Sequence, residues 1–135
     1  MQRRDFLQQV GGILLAPTVL PDVPAAADPP APQRIKIGQI GVGHAHAGKL
    51  AVYRQSPDYE VVGVVEPDAQ LRQQAANALP YRGLKWLTAD QLLETPGLQA
   101  VLVETRVRDL LDNAEACISA GMHVHIDKPA GESLP

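Results

Sequence analysis

Cysteine is all but missing from this chain: Cys117 is the only one in 135 residues. An internal disulfide framework is therefore excluded. Cys117 falls in a stretch that reads as the buried face of a helix, where a lone thiol serves as a small hydrophobe. Aromatics are scarce too, with one Phe, one Trp and three Tyr. The core must be built from Val, Ile, Leu and Ala, which suits a helix-and-sheet protein. Neither charge sign dominates, and the net charge of -3 gives no ground for a nucleic-acid or anionic-membrane partner. No apolar run reaches the about 20 residues that a spanning helix needs. Internal repeats are absent, and the length suits one domain at most.

The first 33 residues stand apart from the rest. Arg3 and Arg4 precede Phe6 and Leu7, and an uncharged apolar run continues to about Leu20. Ala25 and Ala27 then offer an A-x-A cleavage site. A charged start, an apolar middle and a small-residue end make residues 1–27 a signal peptide, excluded from the fold. The paired arginines followed by Phe-Leu resemble a twin-arginine (Tat) export signal, which implies a periplasmic protein. Gln2 and Gln8 depart from the usual pattern, and an ordinary secretory signal or an uncleaved anchor stays open. Residues 28–33, with Pro29, Pro30 and Pro32, form a stiff linker.

From residue 34 to 135 two kinds of segment alternate. "RIKIGQIG", "YEVVGVVEPD", "LKWL", "LQAVLVET" and "MHVHIDKP" read as strands. "HAGKLAVYRQSP", "AQLRQQAANAL", "TADQLLE" and "RDLLDNAEACISAG" read as helices between them. Thr88 with Gln91 three places on has capping-box spacing. Strict alternation predicts right-handed βαβ units and a parallel sheet. The near-continuous apolar strands fit a sheet covered on both faces. The expected fold is a doubly wound α/β domain.

In such a sheet, ligands sit beyond the carboxyl ends of the strands. "IGVGHAHAG" follows the first strand there. Gly41 permits a tight turn, and Gly43 lets a pyrophosphate approach the backbone. The sixth place of a dinucleotide fingerprint, normally glycine, is His46, so the next helix sits further out or this side chain turns away. Gly48 offers relief of crowding. The second strand ends at Glu66, which can accept hydrogen bonds from both ribose hydroxyls of an adenosine and would repel a 2'-phosphate. NAD is therefore expected over NADP. A glycine loop with an acid also occurs in domains that bind S-adenosylmethionine, so both readings stand at this point.

All four histidines lie in two His-x-His pairs, His44/His46 and His123/His125. They invite a zinc reading. One strand is expected to separate the pairs and to hold them at different heights, so no shared metal site is expected. His44 and His46 are candidates for contact with the pyrophosphate or with the substrate end of the cofactor.

"AGMHVHIDKPAGESLP" separates the readings. A strand ending in Asp-Lys-Pro after a helix closed by Ala-Gly resembles the Glu-Lys-Pro motif of the glucose-fructose oxidoreductase/inositol dehydrogenase (Gfo/Idh/MocA) family. "IGVGHAHAG", "VVGVVEPD" and "AVLVET" fall in that family's order. The resemblance covers residues 34 to 135. It implies a Rossmann-like NAD(P)-binding domain of an oxidoreductase acting on CH-OH groups of a sugar or polyol. It places Lys128 at the nicotinamide and substrate end as a catalytic lysine, and implies a frequent cis bond at Pro129. Thr105 would line the cofactor. A lysine at the carboxyl end of a parallel strand can donate to a substrate hydroxyl or help move its proton.

The chain also departs from the family. Asp127 replaces the usual Glu, and Thr105-Arg106-Val107 replaces the frequent Thr-Pro-Asn. Arg106 and Arg108 read as a solvated face. The family's second domain, which supplies the remaining catalytic residues and oligomer contacts, has no counterpart before Pro135. The expectation is a fragment of a longer, homo-oligomeric enzyme or a truncated product, with the last strand left as an unpaired edge. A non-catalytic nucleotide-binding remnant is the alternative.

Overall fold

The computed structural model describes residues 32–133. The expected signal peptide and most of the expected linker lie outside them. Five strands form one parallel sheet: β1 (Ile35–Ile40), β2 (Tyr59–Val65), β3 (Trp86–Leu87), β4 (Leu98–Val103) and β5 (His123–Ile126). Their spatial order is β3-β2-β1-β4-β5. The chain therefore winds outward from β1 to β3, then returns to the other side of β1 with β4. That reversal opens a crevice at the carboxyl ends of β1 and β4.

The buried faces follow from side-chain alternation along each strand. Ile37, Val64 and Leu102 point to one face with Leu50 and Tyr81. Ile40, Val65, Val101 and Val103 point to the other, with Leu92, Leu110, Ala114 and Cys117. The helices α1 (Leu50–Gln55), α2 (Ala69–Ala75), α3 (Ala89–Leu93) and α4 (Val107–Ser119) join successive strands. Leu110, Ala114 and Cys117 recur at helical spacing along α4 and are its buried stripe. Each fully buried Leu or Ile side chain contributes about 1.5–3 kcal/mol of hydrophobic stabilisation.

Local chemistry sets the element ends. Thr88 and Gln91 close a capping box at the start of α3, as their spacing predicts. Asp68 caps α2 by accepting from the N–H groups of Gln70 and Leu71. Gly121, at φ +82°, follows α4 in the left-handed region. Two helices are shorter than the periodicity suggests. A 3-10 turn (Ala47–Lys49) precedes α1, so the segment after the glycine loop enters its helix gradually. The chain leaves α2 after Ala75, where Arg82 folds back to donate to the Asn77 carbonyl.

Register matters more for function than element length. Ile40 pairs with Val65 on one side and Val103 on the other; Val65 pairs with Leu87, and Val103 with Ile126. The residues one step beyond are Thr88, Glu66, Gly41, Glu104 and Asp127. They line the carboxyl edge of the sheet in that order. Among the described residues, β5 pairs only with β4 and forms the expected sheet edge.

Candidate functional site at the carboxyl edge

The glycine loop is shaped by what lies behind it. Gly41 has φ +88°, and a Cβ there would stand 2.6 Å from the backbone of Thr105. Only glycine fits. At Gly43 a Cβ would meet the Arg106 side chain at 3.2 Å, a flexible neighbour. Its exposed backbone faces a cavity of about 580 Å³, lined in part by Glu66, Leu71, Thr105 and Arg106. That volume falls in the range of small-molecule and cofactor sites. The two positions thus differ: Gly41 is needed by the turn, Gly43 keeps the cavity wall low.

Glu66 is buried, with 6% of its surface exposed. Its Oε2 accepts from the Val42 N–H at 2.9 Å, and its Oε1 from the Asp68 N–H at 3.0 Å. It braces the glycine loop from the neighbouring strand while facing the cavity. Thr105 borders the same cavity and donates to the Arg106 carbonyl. Arg106 and Arg108 also line it; Arg106 reaches Asp68 at 3.7 Å and Arg108 reaches Asp109 at 3.5 Å. The arginines therefore border the cavity rather than a plain solvated face, and Arg106 spans its mouth from the β4 side to the β2 side.

The other side of the loop carries the histidines. His46 turns away from the sheet, half-exposed, and its Nδ1 lies 3.0 Å from Asp127 Oδ2. This is the second of the two outcomes expected for a bulky sixth residue. Gly48 relieves little, since its nearest neighbour is Pro80 at 3.9 Å. His44 is packed inward, its Nδ1 3.4 Å from Glu104 Oε2. A second cavity runs past His44, His46 and Arg106 to Lys128 and Pro129. Lys128 is exposed there, and its backbone N–H donates to Asp127 Oδ1 at 2.8 Å. The Lys128–Pro129 bond is cis.

At the corner between loop, β4 and β5 stands Lys49. Its Nζ is 2.6 Å from Glu104 Oε1, 2.7 Å from His125 Nε2 and 2.9 Å from Asp127 Oδ2. Burial lowers its pKa, but the hydrogen bonds and charges of Glu104 and Asp127 outweigh that and hold it above the ordinary lysine value. Asp127 is held well below the usual carboxylate range, first by the Lys49 hydrogen bond and then by the Lys128 N–H.

This geometry corrects one expectation. The two His-x-His pairs were expected well apart, yet His46 reaches Asp127 directly and His125 reaches it through Lys49. β4 does separate β1 from β5, but the loop after β1 folds across the end of β4. His123, one pair back along β5, is not in the cluster. Sequence reasoning passed over Lys49 and Glu104. The available signal was Glu104 itself, a carboxylate ending an apolar strand just as Glu66 does.

Comparison with known proteins points one way. The family model described as "Oxidoreductase family, NAD-binding Rossmann fold" matches residues 35–134. No curated protein matches the chain. Among solved structures, GenD2 from gentamicin A biosynthesis, in complex with NAD, is 25% identical over 75% of this chain, with TM-score 0.62. An NAD-binding protein from Listeria innocua is 25% identical over 73%, with TM-score 0.61. The WlbA dehydrogenase from Bordetella pertussis, in complex with NADH and UDP-GlcNAcA, shares the fold at 21% identity over 73%, with TM-score 0.59. The chain spans 28%, 28% and 30% of the lengths of these three proteins.

Proposed function

The chain belongs to the Gfo/Idh/MocA oxidoreductase family, and from that membership we propose hydride transfer between a secondary-alcohol carbon and a nicotinamide cofactor. The described domain is the NAD(P)-binding Rossmann domain of that family. The alcohol belongs to a sugar or polyol, a class in keeping with the sugar nucleotide bound to WlbA. The domain serves an enzyme that works as a homo-oligomer. The paired arginines and A-x-A site near the N-terminus support export to the periplasm through the twin-arginine route.

Each residue has a role its surroundings allow. Gly41 lets the chain turn under the cofactor, and Gly43 leaves room for a pyrophosphate against bare backbone. Glu66 accepts from the ribose hydroxyls on the side of its oxygens not used by Val42 and Asp68, and this favours NAD. Thr105 lines the cavity. His44 and His46 border the substrate end. Lys128 donates to the substrate hydroxyl or carries its proton, and Pro129 fixes the backbone beside it. The cofactor, when bound, supplies the hydride-accepting carbon.

The observation that carries the reading is the cavity bounded by two glycines and Glu66 at the strand ends. Titration with NADH, followed by energy transfer from Trp86, is the test. Saturable binding that NAD displaces and S-adenosylmethionine does not is expected. Displacement by S-adenosylmethionine in preference to NAD overturns the assignment.

A further inference from the structure

The mouth of the cleft beside Lys128 brings together two imidazoles and two carboxylates, of which the cofactor reading uses only the imidazoles, as border contacts. We propose that His44, His46 and Asp127 form a binding site for a divalent transition metal of the zinc class.

Three arguments meet here. The first is ligand geometry. Ring nitrogens of His44 and His46 and an oxygen of Asp127 all lie within 4.8 Å of one another. Two imidazoles and one carboxylate are a donor set that suits zinc and its neighbours, with bonds of about 2.0–2.2 Å. Drawing three ligands in to such bonds requires side-chain rotations. His46 has the freedom for them, with half its side chain exposed.

The second argument is Glu104, an independent observation. It has no exposed surface, and its Oε1 is held by the Lys49 ammonium at 2.6 Å. Its Oε2 sits 3.4 Å from His44 Nδ1. A carboxylate behind an imidazole is the arrangement that orients a ligating histidine and raises its basicity.

The third argument comes from the neighbouring cluster. Glu104, His125 and Asp127 show the same spacing. The Lys49 ammonium stands within that group, 2.6 to 2.9 Å from all three. That cluster already has its cation. Lys49 and His46 share the same Asp127 oxygen, Oδ2, and the His44–His46 group is the one open to the cavity lined by Arg106 and Lys128. Three protein ligands leave a fourth position, which a water or a substrate oxygen would take. The proposed site does not depend on cofactor binding, and it adds a metal where the sequence led to none.

The test is calorimetric titration of the tag-free full chain with Zn²⁺, without NAD(H), and with Co²⁺ for its visible absorption. One equivalent of Zn²⁺ bound and a Co²⁺ spectrum of a low-coordinate nitrogen-oxygen site are expected. His46→Ala should weaken binding at least about tenfold while its thermal melt stays cooperative. His123→Ala, outside the cluster, should bind like the parent. No saturable binding in the parent overturns the site. So does unchanged binding in His46→Ala, or equal loss in His123→Ala.

Discussion

Nζ of Lys49 lies 2.6 Å from Oε1 of Glu104, a carboxylate with no exposed surface. Lys49 belongs to the 3-10 turn after the glycine loop, while Glu104 ends β4. The pair therefore ties the loop to the strand that carries Thr105. Because the same ammonium holds Asp127, it also fixes the backbone that presents Lys128.

Removing only the cation leaves Glu104 buried and unpaired, which typically costs about 3–5 kcal/mol. Lys49→Met should lower the unfolding free energy by about that amount in urea titration. Lys49→Met combined with Glu104→Gln should recover part of the loss, since no buried charge remains. A double variant whose loss equals the sum of the two single losses would show that the pair is not coupled.

The two loop glycines should separate fold from binding. Gly41→Ala forces a side chain into the left-handed region and within 2.6 Å of the Thr105 backbone. It should cost more than about 2 kcal/mol of stability. Gly43→Ala meets the flexible Arg106 side chain at 3.2 Å and otherwise makes ordinary contacts with Leu71 and the Arg106 N–H, and it should cost less than about 1 kcal/mol. Its effect should appear instead in NADH affinity, because the methyl group stands in the cavity. Equal losses of stability at both positions, by thermal melting, would contradict this division.

Much of the fold was legible because it rests on local signals. The five strands, the Thr88–Gln91 capping box and the buried stripe through Cys117 each follow from spacing within a dozen residues. So did the neighbours Gly41 and Glu66, since one βαβ unit places them side by side. The Lys49 cluster was not legible, because its members lie up to 78 positions apart. Only the order β1-β4-β5 and the register Ile40–Val103–Ile126 bring them together. Likewise His46 read as misfit in a fingerprint, since its partner Asp127 belongs to the other end of the domain.

Glu66 carries a double prediction. Its two oxygens already accept from Val42 and Asp68, so Glu66→Ala frees two backbone donors and should lower the melting temperature. It should also weaken NADH binding, through the lost ribose contact and the loosened loop. NAD(H) bound with no loss in Glu66→Ala would mean that the acid does not serve the ribose. Glu66→Gln keeps one acceptor but turns an amide N–H₂ toward a backbone N–H, so it should fall between the two.

Cys117 tests how tightly α4 is seated. The thiol has no exposed surface, and burial pushes its pKa above the ordinary thiol value. Only the thiolate attacks disulfide reagents. At pH 8 an ordinary thiol is already partly ionised, whereas Cys117 stays protonated and enclosed by the apolar cluster that includes Leu110 and Ala114. The native protein should therefore be inert to an aromatic disulfide reagent and react with one equivalent once urea unfolds it. The linked effect on stability has a definite sign. Above about pH 9 the unfolded thiol loses its proton while the folded one keeps it, so stability falls as pH rises further. Rapid labelling under native conditions would mean that α4 detaches from the sheet. The backbone of Arg106 and Thr105, at the entrance of that helix, would then be mobile as well.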